Sequence, residues 1–142
     1  MGTTSTIKFI SKRDSGEYPL VNIYQQYDGY IEGGVGHDLA RWLMNITLIN
    51  GIGVYQYNKK YCNGTGCLAA QYIATRKERP GDLYIEDMEY TADYNYKVVI
   101  NEFYNVPPDG IPLDYICTVE VTDSHGDEIL PPMPPSHMLN RY

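Results

Sequence analysis

Apolar and polar residues alternate with a period of two near the beginning of the chain. The pattern covers residues 5–11 and, after a polar turn, residues 20–27. Such alternation over several residues indicates a half-buried β-strand. The two segments therefore predict a β-hairpin, which ends at Asp28 and Gly29 because glycine tolerates a positive φ.

Two later segments place apolar residues at the three- and four-residue spacing of an α-helix. The first covers residues 37–50. The second follows the glycine-rich residues 63–66 and ends before Pro80, with Thr65 as its expected N-terminal cap. Both segments predict helices that bury one face.

The remaining pattern is that of short strands. We expect them at residues 54–57, 83–86, 94–102 and 115–123. In the last of these, Tyr115 and Cys117 are expected to share the buried face. The order β-β-α-α-β-β-β predicts an α+β fold with a small, mostly antiparallel sheet and two helices packed on one face.

Four of the nine prolines of the chain lie in the C-terminal residues 126–142. Proline has no backbone N–H and cannot donate to a β-ladder. We therefore expect one α+β domain over residues 1–125, followed by an extended polyproline II tail that projects from it.

The charge of the chain narrows the classes of partner. Its 142 residues carry 11 Lys and Arg against 18 Asp and Glu, a net charge of −7. Binding to a long nucleic acid depends on cations that neutralise phosphates, so we expect no such partner. No apolar run is long enough to span a bilayer, and no secretory signal is visible, so we expect no membrane partner and a cytoplasmic location.

Two glycine-rich segments are the best candidates for a binding site. A helix N-terminus presents unpaired N–H groups and a partial positive charge, and glycines let an anion approach them. Tyrosine, with 15 copies in the chain, suits half-wet binding surfaces. The candidate ligand-binding residues are Tyr27, Asp28, Tyr30, Gly34, Gly36, His37, Thr65, Gly66 and Cys67. The simpler explanation of the same segments is that their glycines serve turns and helix caps.

No complete catalytic or metal-binding motif is visible. Cys67 with His37 as its base is the one nucleophilic pair worth considering. Cys62 and Cys67 have the loose spacing of half a zinc site, but no second pair follows them. We therefore expect no enzymatic activity, no metal and no cofactor.

One motif resembles a known group of sequences. Residues 24–30 read Tyr-x-x-Tyr-Asp-Gly-Tyr, and the segments 36–39 and 63–71 follow in the same order. Together they resemble short proteins of unknown function from bacteria, phages and large viruses. The resemblance implies a phage, viral or bacterial source, and it implies no activity, cofactor or site residue.

These observations favour a non-enzymatic binding protein that recognises a partner protein or a small anionic ligand. If the protein is viral, we expect it in the host cytoplasm. The alternatives are a small-nucleotide sponge that counteracts host defence, a structural or assembly subunit, and a Cys/His hydrolase. A homo-oligomer is compatible with each of them.

Overall fold

A computed structural model describes residues 2–51, 53–55, 57–102 and 105–141. These residues form nine strands and three α-helices. The strands are β1 (Ser5–Arg13), β2 (Gly16–Gln25), β3 (Thr47–Leu48), β4 (Tyr61–Cys62), β5 (Tyr84–Glu86), β6 (Tyr94–Asn101), β7 (Ile111–Pro112), β8 (Cys117–Thr122) and β9 (Glu128–Met133). The helices are α1 (Val35–Met44), α2 (Gly64–Arg76) and α3 (Pro135–Arg141). The fold is α+β, as the sequence predicts.

The larger sheet has six strands in the order β5-β2-β1-β6-β8-β9. The predicted hairpin is formed by β1 and β2, which pair antiparallel. Only β1 and β6 run parallel in this sheet, with Ile7 opposite Tyr96. A parallel pair needs a long crossover, and the chain between these strands contains α1 and α2. The prediction of a mostly antiparallel sheet is confirmed.

A second, three-stranded sheet has the order β4-β3-β7. The strand expected at residues 54–57 is not part of it. Gly53–Tyr55 form a 3-10 turn instead, and Gln56 lies outside the described residues. The glycine at residue 53 has a φ of +38°, which a regular strand does not accommodate.

The core lies between the larger sheet and the helices. Along β6 the side chains alternate as predicted, with Tyr96, Val98 and Ile100 buried. All three helices contribute buried side chains to the same core, so the sheet carries one more helix than expected. These side chains are Leu39 and Leu43 of α1, Leu68 and Tyr72 of α2, and Met138 of α3.

Helix α1 is shorter than predicted and ends at Met44 rather than at residue 50. The side-chain amide of Asn45 donates to the carbonyl oxygen of Arg41 at 2.9 Å. Thr47 and Leu48 then pair with β4 and β7. Their backbone groups serve a sheet, so they are not available to extend the helix.

The strand predicted at residues 115–123 begins two residues later. Tyr115 belongs to a 3-10 turn, Leu113–Tyr115, and is 78% exposed. The prediction that it shares the buried face with Cys117 is therefore wrong, because the ladder with β6 begins only at Cys117.

The prediction of a projecting polyproline tail is also wrong. Strand β9 pairs antiparallel with β8 at the edge of the sheet. Pro131 and Pro132 are tolerated there because they lie on an edge strand and at an irregularity of the ladder, between the pairs Val121–Leu130 and Val119–Met133. Proline also suits the first helical position of α3, since its N–H would be unpaired anyway. None of the helices in the described part of the chain is long and apolar enough to span a membrane.

Candidate functional site

The first glycine-rich segment (residues 33–37) folds back on the turn that precedes it. Its amides from residue 34 to residue 37 donate to carbonyl oxygens of residues 28–31, over distances of 2.7–3.4 Å. An anion binds a helix N-terminus through amides that are unpaired. The amide donors at the N-terminus of α1 are therefore already hydrogen-bonded within the protein, and they are not available to an anion.

Two glycines of this segment are required by close packing. A Cβ built on Gly34 would lie 2.4 Å from the carbonyl oxygens of Asp28 and Tyr30. A Cβ built on Gly36 would lie 2.9 Å from the hydroxyl of Tyr96. The space beside both glycines is filled by protein atoms, so neither leaves room for a ligand.

The turn before this segment carries three of the candidate residues. Tyr27 is 65% exposed. The hydroxyl of Tyr30 donates to Oδ1 of Asp28 at 3.1 Å. This hydrogen bond, together with the charge of Asp28, raises the pKa of Tyr30. The three residues lie together with Gly34 and Gly36, as a compact turn with an exposed tyrosine.

His37 lies in the first turn of α1 and is buried. Its Nδ1 accepts a hydrogen bond from the amide of Gly33 at 3.4 Å. Nε2 is also buried, and no described residue provides a hydrogen-bond partner for it. With only 8% of the residue exposed, the imidazole packs inside the fold rather than facing a ligand at the surface.

The second glycine-rich segment (residues 63–67) begins α2. Gly66 and Cys67 are exposed, but Thr65 is buried. The Thr65 hydroxyl donates to Oε2 of Glu102 at 2.9 Å, and the Ser11 hydroxyl donates to the same oxygen. Thr65 is not the predicted cap, because Asn63 occupies the N-cap position of α2 and no side chain forms a capping hydrogen bond there. The Thr65 hydroxyl instead fixes a carboxylate beside the N-terminus of α2.

A polar pocket of about 340 Å³ lies next to this carboxylate. Its polar lining consists of Asn50, Asn63, Asn101, Glu102 and Asn105. A carboxylate close to a helix N-terminus interacts favourably with the helix dipole. An added anion would be repelled by Glu102, so the second glycine-rich segment is a poor anion site.

The two glycine-rich segments lie at opposite ends of the β1–β6 pair. The first contacts the amino end, where the Tyr96 hydroxyl donates to the carbonyl oxygen of Gly29 at 2.7 Å. The second contacts the carboxyl end through Glu102, whose amide donates to the carbonyl oxygen of Lys12. A strand rises about 3.3 Å per residue, so the segments are about 20 Å apart. They do not form one pocket.

This separation also determines whether Cys67 and His37 can form a catalytic dyad. A nucleophile and its base must lie within hydrogen-bonding distance. Cys67 belongs to the segment at the carboxyl end and His37 to the segment at the amino end. The dyad is therefore not formed. Within the described ranges, no three His, Cys, Asp or Glu side chains come close enough together to hold a metal ion.

A groove between α1 and α2, which we call the basic groove, has a different character. Its volume is about 480 Å³. Four of the 11 basic residues of this acidic chain line it, against one carboxylate. Its lining residues are Asp38, Arg41, Trp42, Asn45, Ile46, Lys59, Lys60, Thr75 and Arg76. The groove is thus a local concentration of positive charge on a protein of net negative charge.

Three of these four cations are not neutralised. Arg76 forms a salt bridge with Asp38. Of the salt bridges that the described residues form, none involves Arg41, Lys59 or Lys60. Clustered charges of one sign in a concave surface attract ions of the opposite sign. The arrangement can therefore bind an anion without any contribution from the glycine-rich segments.

The wall of the basic groove contains the only tryptophan of the chain. The Trp42 ring packs edge-on against Tyr72, with 5.2 Å between the ring centroids. The guanidinium of Arg76 lies 5.6 Å from the Trp42 centroid and 4.7 Å from the Tyr72 centroid. These contacts hold the indole and the guanidinium in a fixed relation beside the groove.

Sequence reasoning missed this site for a definite reason. Residues 38, 41, 42 and 45 recur at helical spacing, so their common face on α1 was readable from the sequence. Lys59 and Lys60, however, come from a loop, and Arg76 comes from the last turn of α2. No local pattern indicates that these three segments meet.

Comparison with known proteins adds no functional assignment. No family model, no curated protein and no solved structure matches this chain.

Proposed function

We propose that this protein is a non-enzymatic binding protein and that its ligand is a small anion held in the basic groove. The observation that carries the proposal is the presence of Arg41, Lys59 and Lys60 in one groove without a paired carboxylate. Arginine offers paired N–H donors that match phosphate or carboxylate oxygens, and lysine adds a mobile positive charge.

The size and lining of the groove favour a small ligand with an aromatic part. Pockets for small molecules usually have volumes of about 300–1,000 Å³, and the groove falls within this range. Trp42 is half-buried in its wall and provides an aromatic contact beside the cations. A phosphorylated nucleoside combines these two chemistries. The expected small-nucleotide sponge is one form of this proposal, with tight binding and no turnover.

The single tryptophan makes the test direct. Adenosine monophosphate and inorganic phosphate are titrated into the full-length protein while tryptophan fluorescence is excited selectively. We expect a saturable change with adenosine monophosphate and weaker binding of phosphate. The double variant R41Q/K60Q should weaken binding at least tenfold, because each charge-assisted hydrogen bond contributes about 1.5–3 kcal/mol.

The control for net charge is K12Q, which removes an exposed cation at the end of β1. It removes one of the two charge units that the groove variant removes and leaves the basic groove intact, so binding should be unchanged. Recovered nucleotide should be chemically intact after long incubation. Equal weakening by K12Q and by the groove variant would overturn the proposal.

Recognition of a partner protein is a second candidate function. It is favoured by a tyrosine cluster on the face of the larger sheet opposite the helices. Tyr24 packs against Tyr84 and Tyr90, with centroids 5.9 Å and 5.3 Å apart. Tyr84 and Tyr90 are about 40% exposed. Sedimentation at increasing concentration tests the simplest partner, a second copy. Association that Y90S abolishes would support this candidate, and a concentration-independent monomer would exclude self-association.

A further inference from the structure

A second groove, of about 290 Å³, lies between the loop that precedes β4 and helix α2. Tyrosines and carboxamides dominate its lining, so we call it the amide groove. Of the described residues, it shares only Lys59 with the basic groove. The side chains that give it its character are those of Tyr55, Tyr57, Asn58, Tyr61, Asn63 and Gln71.

The aromatic part of the amide groove is built by a turn. The amide of Asn58 donates to the carbonyl oxygen of Tyr55 at 3.0 Å, and the amide of Tyr61 donates to that of Asn58 at 3.1 Å. The Tyr55 and Tyr61 rings stack, with centroids 4.2 Å apart and 24° between the ring planes. Tyr57 lies in the same turn and is 90% exposed. Because the face of an aromatic ring carries partial negative charge, these rings attract the C–H hydrogens of a ligand.

Two asparagines of the amide groove are held in place by backbone N–H groups. Oδ1 of Asn58 accepts a hydrogen bond from the amide of Lys60 at 3.0 Å. Oδ1 of Asn63 accepts one from the amide of Gly51 at 2.9 Å. A backbone N–H can only donate, so the oxygen is the engaged end of both side chains. Their Nδ2 groups remain as donors, without a partner among the described residues.

Gln71 is held in the opposite sense. Its Nε2 donates to the carbonyl oxygen of Lys59 at 2.5 Å, so Oε1 is the end without a partner in the described part of the chain. The amide groove thus offers two oriented donors and one oriented acceptor beside the tyrosine rings. Groups that are oriented before binding lower the entropic cost of holding a ligand.

We propose that the amide groove is a binding site for a neutral sugar in its pyranose form. A pyranose ring combines a face of C–H groups, which fits an aromatic ring, with hydroxyl groups around its edge. Each hydroxyl both donates and accepts, so it can pair with the free end of any of the three carboxamides. The volume of the groove lies close to the lower end of the range for small-molecule pockets, about 300–1,000 Å³.

The charge of the amide groove also favours a neutral ligand. Lys59 is the only charged residue among the described residues that line it, and its side chain is exposed. A single exposed cation binds an anion weakly, because water and salt screen the interaction. The basic groove, in contrast, combines four cations. The anion and the sugar therefore belong to different grooves.

The test is NMR spectroscopy of the isotope-labelled full-length protein, because the side-chain amides of Asn58, Asn63 and Gln71 give their own signals. Glucose, galactose, mannose and N-acetylglucosamine are titrated separately. We expect saturable shifts of these signals with at least one sugar. Sorbitol, a polyol without a ring face, should cause none. Added salt should not change the affinity for the sugar, whereas it should weaken the binding of adenosine monophosphate in the basic groove.

A matched pair of tyrosine variants makes the result decisive. Y57A removes an exposed ring from the amide groove and should weaken sugar binding about fivefold or more. Y115A removes a ring that is 78% exposed in a 3-10 turn outside the groove, so it should leave the affinity unchanged. Q71A should weaken binding about threefold, as expected for one lost neutral hydrogen bond.

Three outcomes would overturn the proposal. The first is the absence of shifts with all four sugars. The second is equal weakening by Y57A and Y115A. The third is tighter binding of adenosine than of any sugar at the same signals, which would assign the amide groove to a nucleobase.

Discussion

Arg76, in the last turn of α2, donates from Nη2 to Oδ2 of Asp38, in the first turn of α1, at a distance of 2.7 Å. A second hydrogen bond joins Nε to the same oxygen at 3.2 Å. The pair links the end of one helix to the beginning of the other, so the two helices run antiparallel across the sheet. It also places the only carboxylate of the basic groove against its most buried cation.

The variant D38N tests the charge balance of the basic groove. Its effect on stability should be small, below about 1 kcal/mol, because Asp38 is 56% exposed and solvent screens the pair. Affinity for adenosine monophosphate should rise about threefold, as expected for one opposing charge removed at a distance of several ångströms in water. Tryptophan fluorescence measures the stability during urea denaturation and the affinity during titration with adenosine monophosphate. D14N, in the exposed β1–β2 turn, is the control for net charge. A loss of affinity in D38N would contradict the electrostatic argument.

A pair of glycine substitutions separates packing from local helix preference. G34A should lower the free energy of unfolding by about 1–3 kcal/mol, because the new methyl group meets two carbonyl oxygens. G66A should raise it by about 0.5–1 kcal/mol, because the position is open and alanine favours a helix. Urea denaturation checks both. Equal effects of the two variants would be inconsistent with this packing.

The stability of the fold should depend on the hydrogen bonds that two hydroxyls donate to Glu102. T65V removes the Thr65 donor at nearly constant volume, and we expect a loss of about 1.5–3 kcal/mol, typical of a hydrogen bond to a charged group. T65S keeps the hydroxyl and removes one methyl group, so its loss should be about 1 kcal/mol. Thermal and urea unfolding should rank the two variants in this order. The reverse ranking would mean that the methyl group, rather than the hydroxyl, is what stabilises this position.

The C-terminal residues should be necessary for stability. M138A removes a fully buried side chain between α1 and the sheet and should cost about 2–5 kcal/mol. The control is M44A, at a position that is 41% exposed, and its effect should stay within about 0.5 kcal/mol. The comparison is made by urea denaturation. If M138A were as mild as M44A, α3 would not be part of the folded core.

Several features of the fold could be predicted because they depend on residues close together in the chain. The alternation of apolar residues located β1, β2 and β6, and the helical spacing located α1 and α2. The same reasoning placed Tyr115 in a strand and residues 54–57 in another, and it was wrong at both. In each case a strand requires a partner, and the sequence carries no local mark of which residues find one.

The C-terminal residues show the same limit of local patterns, because here a strand was missed rather than wrongly predicted. Pro131 and Pro132 correctly indicated that this segment cannot sit inside a sheet. They did not indicate that an edge position beside β8 would accept it, because that depends on which groups the neighbouring strand leaves unpaired.

Four features could be inferred from the chain alone: the α+β class, the hairpin, the acidic charge and two glycine-rich helix starts. The packing of the fold, in contrast, places these starts about 20 Å apart, at opposite ends of the β1–β6 pair. The same packing brings Lys59 and Lys60 into one groove with residues of α1 and α2. Local patterns reflect the geometry of single elements, whereas the position of a site depends on how distant elements pack around a common core.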